Sequence, residues 1–201
     1  MKKILISNAY DFTPMVGAIT KIGPDIVYAV MNNTPEAHQK DALKKLKNTF
    51  KHIEFKEIKT EIYKVYEIAK EIVKAIDGMY TQDTEIYLDI TSGRKTKSIG
   101  ILLGGYQRSG KIKDILYFTQ EINQMVTLPK LSFEISKKSS DLLELVSKKP
   151  VSLPDLANNK KLNSMGRTSV YLNIRDLKEK GLVTEDKGLL YLTDYGKLVL
   201  L

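Results

Sequence analysis

The sequence predicts an α/β fold: a mainly parallel sheet flanked by helices, followed by a small second domain. Three observations predict it. Short runs rich in branched residues alternate with stretches whose apolar residues recur at helical spacing, the pattern of βαβ units. Residues 84–110 hold one such unit entire, reading TEIYLDI, then TSGRKTK, then SIGILLGGYQRSG. From Ser136 on, the alternation gives way to three short helical patterns and two strand-like runs around Asp186-Lys187-Gly188.

The elements follow in order. Residues 2–7 form a strand on Ile4, Leu5 and Ile6, and Ser7-Asn8-Ala9-Tyr10-Asp11 is the loop that leaves it. Thr13-Pro14 opens a helix, proline being tolerated in a first turn; it runs through Met15, Val16, Ala18 and Ile19 to Gly23-Pro24. Residues 25–31 (DIVYAVM) are a second buried strand, and 32–36 turn into a lysine-rich helix that reaches Phe50. Ile53, Phe55 and Ile58 mark a third, more exposed strand over 52–58. Residues 61–79 are a long helix with Ile62, Val65, Ile68, Ile72 and Ile76 on one face. The run ending at Asp89-Ile90 reads as a strand buried on both faces. The helix after it takes Ile99, Leu102, Leu103 and Tyr106 as its apolar face. Residues 114–119 are a strand, 120–123 a turn, and 124–128 the returning arm of a hairpin.

Residues 136–140 (SKKSS) are polar and mark the linker, so the expected domains are 1–135 and 136–201. Helices follow over 141–148, from Ser152 to Ala157, and over 167–180, with a turn over 158–164 between the last two. Gly181 stops the third helix as a left-handed cap. Strands over 182–185 and 189–193 make a hairpin, and residues 195–201 close the chain. Three short helices and a hairpin are the winged helix-turn-helix plan. In that plan the third helix enters a DNA major groove, and its outward residues would be Arg167, Thr168, Ser169, Tyr171, Asn173 and Arg175. Charge does not single this part out. It carries 12 Lys and Arg against 8 Asp and Glu, an excess of +4 equal to that of the preceding residues, 20 against 16.

Composition bounds the function. With no cysteine, disulfide and thiol chemistry are excluded and a cytoplasmic setting fits. MKKILIS is too short an apolar start for a signal peptide, and no run approaches a membrane span. Two histidines, His38 and His52, argue against a multi-histidine metal site, so no metal is expected. A net charge of +8 and a pI near 9.3 suggest an anionic partner, nucleic acid or nucleotide. Neither a phosphate-binding Gly-Lys-Ser/Thr loop nor G-x-G-x-x-G is present. Glu57-Ile58-Lys59 has the spacing of half a metal-nuclease motif, but no preceding strand offers the paired Asp. The lysine pair Lys44-Lys45 reads as a solvated face.

Right-handed crossovers make the first domain a Rossmann-like sandwich, in which ligands bind beyond the carboxyl ends of the strands. Thr91, Ser92 and Gly93 precede a helix whose first turn holds Arg94, Lys95 and Lys97. Helix N-termini attract anions through unpaired N–H groups and the helix dipole, and phosphate is the natural guest. Capping by Thr91 or Ser92 would account for the hydroxyls. It would not account for three cations at the positive end of a dipole. If the first and fourth strands are neighbours, Ser7 and Asn8 join this site. Asp89, at its mouth, either orients Arg94 or Lys95 or accepts from loop N–H groups.

The string YLDITSGRKTKSIGILLGG, beside an N-terminal ILIS strand, resembles the CRISPR-associated Rossmann-fold (CARF) family. With a winged helix-turn-helix after it, the chain is similar to the CARF–winged-helix proteins of antiviral CRISPR defence. The resemblance implies a two-fold homodimer that binds a cyclic oligoadenylate, most often cyclic tetra-adenylate, with no other cofactor. It implies Ser7, Asn8, Thr91, Ser92, Gly93, Arg94 and Lys95 as ligand residues; Lys97, further along the helix, is an additional candidate. Ser92 departs from a family pattern that often has a second glycine there. Both histidines precede every arginine, so the nuclease motif attached to some members is absent. Two functions are compatible with the resemblance. One is a ligand-responsive regulator on palindromic promoter DNA, its half-sites about 34 Å apart. The other is a metal-independent ring nuclease that cleaves the ring to linear products ending in 2′,3′-cyclic phosphate. In it Ser7, Arg94 and Lys95 would be catalytic, and Lys160, Lys161 or Lys178 would close the site. The intact helix-turn-helix pattern puts the regulator first.

Overall fold

A computed structural model describes residues 1–119, 124–131, 135–162 and 165–201. The chain divides into two compact units, Met1–Ser132 and Phe133–Leu201. The turn expected over 120–123 and the end of the one expected over 158–164 lie outside the described residues.

In the first unit, strands β1 (Lys2–Asn8), β2 (Ile26–Asn32), β3 (Glu54–Thr60), β4 (Thr84–Asp89), β5 (Asp114–Thr119) and β6 (Gln124–Leu128) form one sheet. Its order is β3-β2-β1-β4-β5-β6. The first five run parallel, and β6 returns antiparallel on β5. The sheet is covered on both faces, as parallel sheets are. Helices α1 (Phe12–Ile22) and α2 (Ala37–Thr49) cover one face, where Met15, Ile19, Leu43 and Leu46 pack on Leu5, Val27 and Met31. Helices α3 (Val65–Met79) and α4 (Lys95–Gln107) cover the other, with Ile68, Ile72 and Ile101 on Ile4, Ile6, Ile86 and Leu88. Alternate residues of β1 serve the two cores, which is why it is apolar without interruption. Strand β3 is an edge and only Ile58 and Thr60 of it are buried, matching its sparser apolar pattern.

Neighbouring β1 and β4 carry the chain away in opposite directions along the sheet. Ser7 stands in register with Asp89. This is the topological switch point, where α/β sheets open a crevice at the carboxyl ends of their strands.

Helix α4 keeps part of its expected face, Leu102 and Tyr106 packing on the core, and departs from the rest. Ile99 is 47% exposed, whereas Lys97, Gly100, Ile101, Gly104 and Gly105 are buried. Glycines give the helix a flat side that comes down on α3. A Cβ built at Gly100 would stand 2.6 Å from Ile68 Cβ; one at Gly104 would stand 2.8 Å from Ile72 Cβ and 2.9 Å from the Ala69 carbonyl oxygen. Alanine at 104 is therefore expected to destabilise by about 1–2 kcal/mol, overlap outweighing the roughly 1 kcal/mol that alanine gains in a helix interior. Urea unfolding of Gly104→Ala measures it. The helix also starts later than the hydroxyls suggested: Arg94 is the N-cap, with no side-chain cap bond.

The second unit contains α5 (Lys137–Lys148), β7 (Val151–Ser152), α6 (Leu153–Ala157), one 3-10 turn (Lys160–Leu162), α7 (Arg167–Glu179), β8 (Val183–Asp186), β9 (Leu189–Leu192) and α8 (Asp194–Val199). The segment 136–140, expected as a linker, is instead the start of α5: Ser136 is its N-cap, its hydroxyl accepting from Ser139 N at 3.1 Å. The serines that lower its apolar content are there to cap. The two-residue strand β7, too short to leave a period, joins the sheet in the order β7-β9-β8. Lys187 and Gly188 both have positive φ, 48° and 75°, as a two-residue hairpin turn requires. The core gathers Leu142, Val146, Leu156, Val170, Ile174, Leu177 and Leu190.

Candidate anion site at the β1–β4 switch point

The loop between β4 and α4 is built by a closed set of hydrogen bonds. Asp89 is fully buried and accepts from Ser7 Oγ at 2.6 Å, from Thr91 N at 3.0 Å and from the Thr91 hydroxyl. Burial pushes its carboxyl up from the usual range, and those hydrogen bonds pull it back. Of the two roles open to Asp89, the structure gives it that of loop anchor. Thr91 Oγ1 in turn accepts from Phe118 N at 2.8 Å, tying the loop to β5. Ser92 Oγ donates to the Asn8 carbonyl at 2.7 Å, and Asn8 Nδ2 donates to the Ser92 carbonyl at 3.0 Å. Gly93 has φ +92°, and a Cβ built on it would overlap Asn8 Nδ2.

These bonds divide the residues singled out from sequence. Ser7, Asn8, Thr91, Ser92 and Gly93 come together as expected, but their side chains shape the loop from within. Ser7, expected to offer its hydroxyl outward, is wholly buried with its proton directed at Asp89. Asn8 keeps one buried acceptor, Oδ1, with no hydrogen-bond partner among the described residues.

The cations differ among themselves. Lys95 is exposed at the helix start. Arg94 reaches back to α2, its Nη2 3.6 Å from Glu36 Oε1, and its guanidinium lies 5.7 Å from the centre of the Tyr63 ring. Lys97 is 1% exposed, and its Nζ has no hydrogen-bond partner among the described residues. Burial lowers its pKa to about 8, with Glu36 favouring the charged form. A buried, unpartnered ammonium in the first turn of α4 is costly by itself.

Glu36, Tyr63 and Asn32 complete this surround and escaped sequence reading. Asn32 Nδ2 donates to Glu36 Oε1 at 3.1 Å, and the Glu36 N–H donates to Gln39 Oε1 at 3.2 Å. The clue was an acidic residue just beyond the end of β2, the strand beside β1. In the sequence it reads only as a helix cap.

Residues 5–121 match the family described as HFX_2341_N:-like, N-terminal. The chain belongs to this family. No curated protein matches the sequence. Among solved structures, this HFX_2341_N:-like chain is similar to VC1899 from Vibrio cholerae, with 10% identity over 98% of this chain and 63% of that one and a TM-score of 0.51. It is similar to Enterococcus italicus Csm6, bound to cyclic hexa-2'-fluoro-hexa-dAMP, with 15% identity over 90% of this chain and 56% of that one and a TM-score of 0.50. Can2 from Sulfobacillus thermosulfidooxidans, in complex with cyclic tetra-adenylate, gives a TM-score of 0.47 with 10% identity over 100% of this chain and 64% of that one. The first two likenesses show the fold: an α/β, Rossmann-like sandwich on a mainly parallel sheet. The chain spans less than two thirds of the length of each of these proteins.

In the second unit of the HFX_2341_N:-like chain, Arg167, Thr168, Tyr171 and Arg175 lie exposed along α7. Ser169 and Asn173 are half-buried and bond each other, Asn173 Nδ2 donating to the Ser169 carbonyl at 2.7 Å. Arg167 donates to Asn158 Oδ1, and Arg175 lies 3.8 Å from Glu179. Lys160 and Lys161 are exposed, and Lys178 pairs with Glu185. Among the described residues, no helix is long and apolar enough to cross a membrane.

Proposed function

We propose that the N-terminal unit is a CARF-type sensor. It binds a cyclic oligoadenylate, cyclic tetra-adenylate by the resemblance of its loop motif, at the switch-point crevice of a homodimer. The C-terminal unit, read as a winged helix-turn-helix, makes the chain a ligand-responsive regulator of promoter DNA in CRISPR defence. One observation carries the reading: the N-terminus of α4 presents Arg94 and Lys95 beside a buried ammonium, Lys97, with no hydrogen-bond partner among the described residues. Phosphate suits such a site. A cyclic ligand gains support from Csm6, a protein of the same fold bound to a cyclic oligonucleotide.

The dimer gains support from α4. Exposed Ile99 follows Lys95 by one turn, and half-buried Leu103 follows Ile99 by another, so a partly open apolar stripe begins beside the cations. Pairing two copies through it would set two cationic loops side by side. A ring of phosphates with internal two-fold symmetry fits that arrangement.

The ring-nuclease reading asks Ser7, Arg94 and Lys95 to act on the ring. The engagement of the Ser7 hydroxyl with Asp89 weighs against it and keeps the regulator first. Incubating purified protein with radiolabelled cyclic tetra-adenylate in EDTA tests both. The regulator binds and returns the ring intact, loses binding in Lys95→Ala, and shifts promoter DNA in a ligand-dependent way. Linear products ending in 2′,3′-cyclic phosphate would install the nuclease instead, and absence of binding would remove both.

Glu36 competes with a bound anion for Arg94, its Oε1 lying 3.6 Å from Nη2. The pair is half-exposed, worth about 1 kcal/mol at most. Glu36→Gln is accordingly expected to tighten ring binding by up to about fivefold, read by calorimetric titration.

A further inference from the structure

A second basic surface lies away from the α4 loop. Lys40, Lys44 and Lys47 fall on one side of α2, spaced four and three residues apart, and meet Lys59 at the end of β3. Together they line a cavity of about 580 Å³. Beneath them lie half-buried Pro35 and the core residues Met31 and Leu43, 2% and 5% exposed. Asn48 and a single carboxylate, Glu57, complete the wall. Neither Arg94, Lys95 nor Lys97 lines it.

The lysines are not ordinary surface partners. Lys45, on the same helix, pairs with Asp41 at 2.7 Å. None of Lys40, Lys44, Lys47 and Lys59 has an ion pair or side-chain hydrogen bond among the described residues. Like charges at helical i,i+4 spacing repel, and a concave wall concentrates their field on whatever anion enters. The volume falls within the roughly 300–1,000 Å³ of small-molecule sites.

We infer that this groove is a second ligand site, for a nucleotide bearing two or more phosphates. The base lies over Pro35 and the lysine methylenes, with Asn48 able to donate to or accept from its edge and Glu57 able to accept from it. The four ammonium groups hold the phosphates. The groove runs along α2 beside the edge strand β3, from Pro35 and Lys59 to Asn48 in the last turn of the helix, off the switch point.

Calorimetric titration with ADP and with pyrophosphate tests the assignment, using the full chain, Lys44→Ala/Lys47→Ala, and Lys70→Ala/Lys74→Ala. The last removes the same charge from α3. A Lys95→Ala/Lys97→Met background keeps the contribution of the α4 loop low. ADP is expected to bind at least tenfold more tightly than pyrophosphate. Binding should weaken about tenfold or more in the α2 variant and hold in the α3 variant. Equal binding of ADP and pyrophosphate would overturn the placing of the base. Equal losses in both double variants would reduce the groove to a diffuse charge effect, and no binding would dismiss it. Capture of long single-stranded RNA but not ADP would replace it with a nucleic-acid surface.

Discussion

Alanine at position 93 is expected to cost the N-terminal unit about 3 kcal/mol and to abolish anion binding. Two effects add. Gly93 sits at φ +92°, a conformation that side chains adopt only at about 1–3 kcal/mol. A methyl group there would also overlap Asn8 Nδ2, which cannot swing away: Asn8 is buried, and its amide is bonded to the Ser92 carbonyl. Moving Asn8 breaks that bond and disturbs the return bond from Ser92 Oγ to the Asn8 carbonyl. Denaturant unfolding of Gly93→Ala, Asn8→Ala and the double variant separates the two effects. The double variant should recover the steric part and keep the backbone strain. Were Gly93→Ala as stable as the parent, the loop would not be held by Asn8.

Lys97→Met is expected to stabilise the protein near neutrality and to weaken ligand binding. Burial lowers the Lys97 pKa from its ordinary 10.5 to about 8. Below pH 8 both native and unfolded states carry the charge, so the native state bears the full cost of burying it. Between pH 8 and 10.5 the unfolded chain holds more protons, and stability rises with pH. Above 10.5 both are neutral and the cost is gone. At pH 7 the methionine variant should therefore gain about 2–4 kcal/mol, and the gap should close by pH 10.5. Urea unfolding across that range measures it. A phosphate that neutralises Lys97 raises its pKa, so binding above pH 8 takes up a proton. Ring affinity should then be level up to pH 8 and fall by about tenfold per unit beyond it. In Lys97→Met that pH dependence should vanish. A parent protein whose stability is flat from pH 8 to 10.5 would show that Lys97 is solvated.

The two variants probe features of unequal legibility. Glycine at 93 was readable, since a small residue between a strand and a cationic helix start signals close backbone approach. What it approaches was not: Asn8 lies 85 residues earlier in the sequence. Lys97 reads in sequence as one more cation in a basic turn. Its burial depends on the phase of α4, and of the face the apolar count gave only Leu102 and Tyr106 pack on the core. Ile99, Leu102, Leu103 and Tyr106 give a clean helical period, yet glycines, invisible to any hydrophobic count, take the inner face. Similarly, Ser136 to Ser140 read as linker because serine lowers apolar content, whereas Ser136 caps a helix there.

The sequence by itself determined the succession of strands and helices, the parallel character of the sheet and the placing of a basic loop at the end of a buried strand. Those signals repeat every two or every three to four residues, so they are local. Only the tertiary structure decided that β1 lies against β4, that Ser7 and Thr91 spend their hydroxyls on Asp89, and that Lys97 is closed off while Lys95 is open. Such outcomes depend on which distant surfaces meet. A side chain's solvation and its hydrogen-bond partners belong to the packed assembly of elements, and no repeat within a single element encodes them.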